Sequence, residues 1–270
     1  MKNFKKVLSV ILLCIMIGTC LTGLAGCSPA NKDWEDIGPK GKLIIGITDF
    51  PPMNYKDGGG KWIGFESEFA EAVCAILGVT AEFQIIKWAA KETELKAKNI
   101  DCIWNGMTVT EERAKNMDLS QHYMINRQVI VVKAENADKY KTADAVNGAN
   151  VVAEADSTGE ETAKGDVFFA GANYTAVDSQ IKALMEIKSG NADIAVVDYL
   201  IAANAMGEGT DFADLIIAEK TFADEEYAIA FRKDSPVTTG KVNAAINELI
   251  GNGALEAIAN KYGLWDLIIK

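Results

Sequence analysis

From Lys42 onward the chain alternates short apolar runs with amphipathic ones, and that alternation limits it to few architectures. "KLIIGIT" (42–48) reads as a buried strand. "ESEFAEAVCAIL" (66–77) sets Phe69, Val73 and Ile76 on one helical stripe and stops at Gly78. "AEFQII" is a strand, "KETELKAK" a helix and "CIW" (102–104) a short strand. "QVIVVK" (128–133), "NVVAEA" (150–155) and "IAVV" (194–197) continue the strands, with helices near Glu160 and over 178–189. Such repetition predicts an α/β fold with parallel sheets and helices on their faces. "ELKAKNIDCIW" and "LMEIKSGNADIAVV" share the order helix, Asn, apolar, Asp, strand, which suggests two similar lobes and not one long sheet. "EEYAIAFRK" (225–233) reads as a further strand, followed by helices over 237–250 and 254–262 that could complete either lobe.

The N-terminus sets the compartment. Lys2, Lys5 and Lys6 precede an uncharged apolar run from Val7 to Ile17 and then "TGLAGC", the order of a secretory signal peptide. The run is short for a membrane-spanning helix. Leu24-Ala25-Gly26-Cys27 resembles a bacterial lipobox, which makes residues 1–26 a lipoprotein signal and Cys27 the lipidated first residue. "SPANKDWEDIGPKG" (28–41), with Pro29, Gly38, Pro39 and Gly41, reads as a linker from anchor to globule. The formal charge is −11, and losing three lysines with the leader makes the remainder more acidic still. That balance argues against nucleic acid or anionic lipid as a partner. Of five cysteines only Cys74 and Cys102 then stay as free candidates. They read as small buried hydrophobes before a disulfide, and no CxxC pair offers a zinc site.

Enzymatic constellations are poor. His122 is the single histidine, so any relay through imidazole would rest on one residue in a loop. Ser157 lacks a nucleophile-elbow context, and no Gly-rich loop ends in Gly-Lys-Ser/Thr. No cofactor or metal is expected. "NGMTVTEERAKNMDLS" (105–120) carries more information. Thr108-x-x-Glu111 fits a capping box, and Arg113 falls in the first turns of the helix it would start. Free N–H groups and a guanidinium together suit a small carboxylate. Asp198 ends the strand "IAVV" at the edge where open α/β sheets bind ligands, although a helix N-cap is the rival reading.

Several separated stretches, in order over 42–265, are together similar to family 3 of the bacterial extracellular solute-binding proteins. "GFESEFAEAVCAIL" (64–77) resembles the family signature, with Ser67 where an aliphatic residue is usual. "ITDFPPMNY" (47–55) is similar to its Asp-x-x-aromatic-Pro-Pro-Phe loop in a shortened form. "NIDCIWNGMTVTEER" matches its Gly-x-Thr-x-Thr-x-Glu-Arg stretch, and "ADSTGEE" (155–161) its Gly-Ser-Thr-Gly-Glu turn, with Asp156 where glycine is common. "NADIAVVD" and "EEYAIAFRKDS" have counterparts too.

The resemblance implies the type II periplasmic-binding architecture, two α/β lobes joined by two hinge strands with ligand between them. Residues 42–126 and 227–270 would form lobe 1 and residues 127–226 lobe 2, with 27–41 as lipidated cysteine and linker. It further implies that Arg113 clamps an α-carboxylate, aided by Gly106 N–H, Thr108 and Asn105 from lobe 1 and by Ser157, Thr158 and Gly159 from lobe 2. Asp198 would take the α-ammonium, and Phe50 and Trp88 would sandwich the side chain. Acids near Asp49 and Glu66 help relatives that hold cationic side chains. The implied protein is a monomeric receptor, not an enzyme. It would be held at the outer face of the cell membrane and would give a free polar amino acid to an ABC permease and its ATPase. Cystine, glutamine and arginine all stay open as ligands. The rival is a dehydratase on arogenate or prephenate, which needs an acid or base such as Glu66 in the cleft.

Overall fold

Apolar strands buried on both faces need helices on either side. The computed structural model, which describes residues 32–270, supplies that cover around two separate sheets. The expected signal segment, residues 1–26, and Cys27 lie outside the described residues. In chain order the first part runs α1 (Lys32–Lys40), β1 (Lys42–Ile47), the small hairpin β2 (Tyr55–Lys56) and β3 (Trp62–Ile63), then α2 (Phe65–Leu77) and β4 (Thr80–Ile85). It continues with α3 (Lys91–Lys96), β5 (Cys102–Ile103), α4 (Glu111–Asn116) and β6 (Met117–Leu119). The second part holds β7 (Met124–Lys133), α5 (Ala143–Val146), β8 (Asn150–Glu154), α6 (Thr158–Gly165) and β9 (Asn173–Val177). It ends with α7 (Gln180–Ser189), β10 (Ile194–Asp198), α8 (Tyr199–Ala205) and β11 (Leu215–Tyr227). The chain then returns to the first sheet as β12 (Ala230–Arg232) and closes with α9 (Pro236–Gly251) and α10 (Ala254–Lys261).

The first sheet has the order β4-β1-β5-β12-β6 and the second β11-β7-β10-β8-β9. Parallel pairing holds where strand and helix alternate: β1 with β4 and β5, and β8 with β9 and β10. The expectation of parallel sheets fails elsewhere. β12 runs antiparallel to β5 and β6, and β7 antiparallel to β10 and β11, so both sheets are mixed. The reversal comes from the strands that carry the chain between sheets. β7 brings the chain into the second sheet beside β11, which takes it out again, with Met124 opposite Tyr227 and Asn126 opposite Glu225. "EEYAIAFRK" is therefore two strands: Tyr227 ends β11 in one sheet, and Ala230 starts β12 in the other.

Two further readings need correction. Residues 32–40 of the expected linker form helix α1, with Ile37 fully buried and Asp33 inside an ion pair. Arg232 Nε donates to Asp33 Oδ2 at 2.9 Å and Ser235 Oγ donates to the same oxygen at 2.7 Å, which holds α1 on the first lobe. In α2 the buried stripe is Phe69, Ala70, Val73 and Cys74, while Ile76 is exposed. Gly78 does end this helix in a left-handed turn (φ +70°). Cys74 and Cys102 are both buried free thiols. α9 and α10 pack on α2, the helix over 65–77 beside the first sheet.

Candidate functional site

The carboxyl ends of parallel strands in the two sheets face a shared cavity, the place where open α/β sheets hold ligands. Phe50, Trp88, Asn105, Gly106, Thr108 and Arg113 line it from one side. Glu154, Ser157, Thr158, Gln180 and Asp198 line it from the other. The space between the two walls, open solvent included, is about 290 Å³, and the walls stand close together, with the Thr108 and Thr158 hydroxyls 3.4 Å apart.

Arg113 arrives there through a cap one step from the expected one. Thr110, not Thr108, caps α4: its Oγ1 accepts the Arg113 N–H at 3.2 Å. Thr108 is left to turn its hydroxyl inward, 3.4 Å from Thr158 Oγ1 and donating to Glu225 Oε2 at 3.1 Å. The Arg113 side chain is 5% exposed. Its Nη1 donates to Thr108 O at 2.9 Å and its Nη2 to Asp156 O at 3.3 Å, across the two lobes. A guanidinium has five N–H donors in a planar fork, so capacity for a bidentate carboxylate remains.

Gly106 serves differently from the reading above. Its N–H donates to Glu66 Oε1 at 2.8 Å and so is already used by the protein. Its φ of +55° suits glycine, and a Cβ there would meet Phe50 Cε1 at 2.7 Å. Glu66 is 1% exposed and also accepts from Asn54 Nδ2 at 2.7 Å and from the Tyr123 hydroxyl. Burial pushes its carboxyl up to about 7, against those donors. Glu66 thus braces the loop behind the cavity and does not line it. Asp49 is exposed and also stands outside the lining. Gly159 packs against β10, where a Cβ would sit 2.7 Å from Val196 O, and is likewise outside the lining. Asn105 does line the cavity while tying Thr48: its Oδ1 accepts the Thr48 N–H and its Nδ2 donates to Thr48 Oγ1, each at 2.8 Å. Ser157 caps α6 by accepting the Glu160 N–H at 3.1 Å, and so aims the first N–H groups of that helix.

Asp198 precedes α8 but makes no side-chain cap, so the rival N-cap reading falls. Its Oδ1 accepts from Asn126 Nδ2 and Gln128 Nε2, each at 2.6 Å, and its Oδ2 from Gln180 Nε2. Burial raises its carboxyl, and the three amides oppose that rise. Glu225 is pushed to about 7 by burial and then by the Asp198 charge. Glu154 reaches about 8 for the same two reasons, with Lys91 opposing. Lys91 is 2% exposed, and its Nζ donates to Asp156 O at 2.9 Å and Oδ2 at 2.8 Å.

A profile of the bacterial extracellular solute-binding proteins, family 3, matches residues 43–264. This chain belongs to that family. It is 29% identical to the L-cystine-binding protein TcyJ of Escherichia coli, over 96% of this chain and 94% of that protein. It is 32% identical to the arginine-binding extracellular protein ArtP of Bacillus subtilis, over 93% and 96%. Among solved structures, a variant of ArgBP from T. maritima superposes with a TM-score of 0.78 at 30% identity, covering 85% of this chain and 98% of that one. The two-lobed fold of this family-3 protein is the type II periplasmic-binding architecture. No helix among its described residues is long and apolar enough to cross a membrane.

Sequence reading missed Glu154, Gln180, Asn126, Gln128, Glu225 and Lys91 in and around the site of this family-3 protein. Glu154 carried the same signal as Asp198, an acid closing an apolar strand, at the end of "NVVAE". The amides carried none, because nothing local distinguishes a strand glutamine that holds a carboxylate from one that meets solvent.

Proposed function

We propose that this protein is an exported, lipid-anchored receptor that captures a free polar amino acid between its lobes and delivers it to an ABC permease. The observation that carries the reading is one enclosed cavity with Arg113 on one wall and Asp198 on the other, each 5% exposed. A zwitterion is costly to bury without charged partners at both ends, and these two residues supply them. Thr108 and Thr158 add hydroxyls, the start of α6 adds N–H groups, and Phe50 and Trp88 give the side chain apolar walls. Family membership and relatives named for cystine and arginine support an amino acid as cargo.

Catalysis finds less support. The dehydratase reading named Glu66 as its acid or base, and Glu66 is sequestered behind the Gly106 loop, which leaves Glu154 and Asp198 as the acids in the lining that a turnover assay must weigh. A thermal-shift panel of free amino acids, with prephenate and arogenate turnover assayed beside it, tests both readings. At one hundred times Kd a ligand adds about 2.7 kcal/mol. At least one amino acid should raise Tm accordingly, without turnover of either cyclohexadiene. No shift with any amino acid overturns the receptor reading. For the anchor, Cys27→Ala should move the protein to the soluble exported fraction, and firm membrane association of that variant counts against lipidation.

A further inference from the structure

The cavity holds one more buried acid than a neutral amino acid can satisfy. A zwitterion offers one ammonium and one carboxylate, which Asp198 and Arg113 answer. Glu154 remains. It is 6% exposed, lines the cavity, and receives no hydrogen bond from a protein side chain among the described residues, whereas Asp198 receives three. Strand register brings the two acids together: Ile194 lies beside Val151 and Ala195 beside Val152, so the ends of β8 and β10 carry Glu154 and Asp198 on adjacent parallel strands. Lys91, the nearby cation that acts on Glu154, already holds Asp156 with Nζ. Burial and the Asp198 charge push the Glu154 carboxyl to about 8, the mark of an acid whose ionised form lacks a partner in the protein alone. Phe50, in the same lining, adds an aromatic face that favours a cation over a neutral polar group, while the Trp88 ring already carries Lys91 Nζ 4.8 Å from its centroid.

We infer that Glu154 selects the cargo: the cavity takes an amino acid with a positively charged side chain, and Glu154 is the counter-ion for that second cation. This inference rests on the receptor reading above and narrows it to basic amino acids. A ligand of this class makes the charges in the cavity balance, while a neutral side chain must leave Glu154 buried and protonated.

The test is a calorimetric titration with two pairs matched in shape but not in charge, L-arginine with L-citrulline and L-lysine with L-norleucine. Wild type should bind a charged member about 30-fold or more tightly than its neutral counterpart, and Glu154→Gln should bring that pair to within a few-fold. Glutamine keeps the shape of the side chain, and the wild-type ratio stands without the variant. Equal affinity for charged and neutral members in wild type, or binding of neutral amino acids alone, overturns the inference and leaves the receptor reading intact. An equal loss for both members in Glu154→Gln overturns it as well, since Glu154 would then serve the ammonium common to all amino acids. A failure of every amino acid to bind overturns the receptor reading itself.

Discussion

Arg113→Ala acts on binding, whereas Glu154→Gln acts on both ligand selectivity and the pH dependence of stability. Arg113→Ala removes one partner of a desolvated charge pair, a loss of about 2–5 kcal/mol, or roughly 30- to several-thousand-fold in Kd. Every amino acid that binds should lose affinity, because the α-carboxylate is common to all, and calorimetry on two unlike ligands checks this. The buried acids make a different prediction. Glu154 and Glu66 are raised from 4.5 to about 8 and about 7, so the folded chain holds protons that the unfolded chain has released. Stability of the ligand-free protein is then greatest near pH 5 and falls as pH rises toward 8, by on the order of a few kcal/mol for Glu154 alone. Glu154→Gln should flatten that decline in a series of thermal melts, and an unchanged slope would show that Glu154 does not titrate in this window. The places of Arg113 and Asp198 in the cavity lining were legible because each sits beside a local signal, a helix start and a strand end. Glu66 and Gly106 were legible as a pair of motifs but not as partners, since 40 positions separate the two ends of their hydrogen bond.

Elements were read best where a strong period met a stop signal, as at α2 and Gly78. They were misread where long-range partners decide. Helix α1 has a weak local pattern with Pro39 inside it, and what holds it is Asp33 bonded to Arg232 and Ser235, roughly two hundred residues away. Burial works to raise the Asp33 carboxyl, but Ser235 and Arg232 outweigh it and hold it below its ordinary value. Its stabilising contribution is therefore present at neutral pH and is lost as pH falls through that lowered value. Asp33→Ala should destabilise the protein by about 1–3 kcal/mol, read as a drop in Tm of roughly 2–4 °C per kcal/mol, while ligand affinity stays as in wild type. An unchanged Tm would mean that α1 adds nothing to the lobe. The split of "EEYAIAFRK" into β11 and β12 was illegible for a related reason: the apolar run is continuous, and only the change of sheet divides it.

At the scale of the molecule, polar contacts join the lobes directly. Lys91 and Arg113 both donate to Asp156 O, and the Thr108 and Thr158 hydroxyls lie within 3.4 Å. Asp156 adopts a φ of +64°, a left-handed conformation unfavourable for a residue with a side chain, at the point where these donors converge. β7 and β11 pair side by side at one edge of the second sheet where the chain passes to and from it, extended and few, the kind of connection a hinge uses. A ligand with its carboxylate on Arg113 and its ammonium on Asp198 has both ends satisfied only when the lobes meet, and differential affinity of that kind shifts an open–closed equilibrium. Two halves of similar lobe architecture were legible from the repeated βα pattern. The contacts that join them were not, because Lys91 and Asp156 stand 65 positions apart. Small-angle scattering on the purified protein, with and without a saturating amino acid chosen from the thermal-shift panel, tests the central claim most directly. The account predicts a smaller radius of gyration on addition, and a weaker contraction in Asp198→Asn at equal occupancy. A wild-type radius that does not change at saturation would contradict the closing cleft.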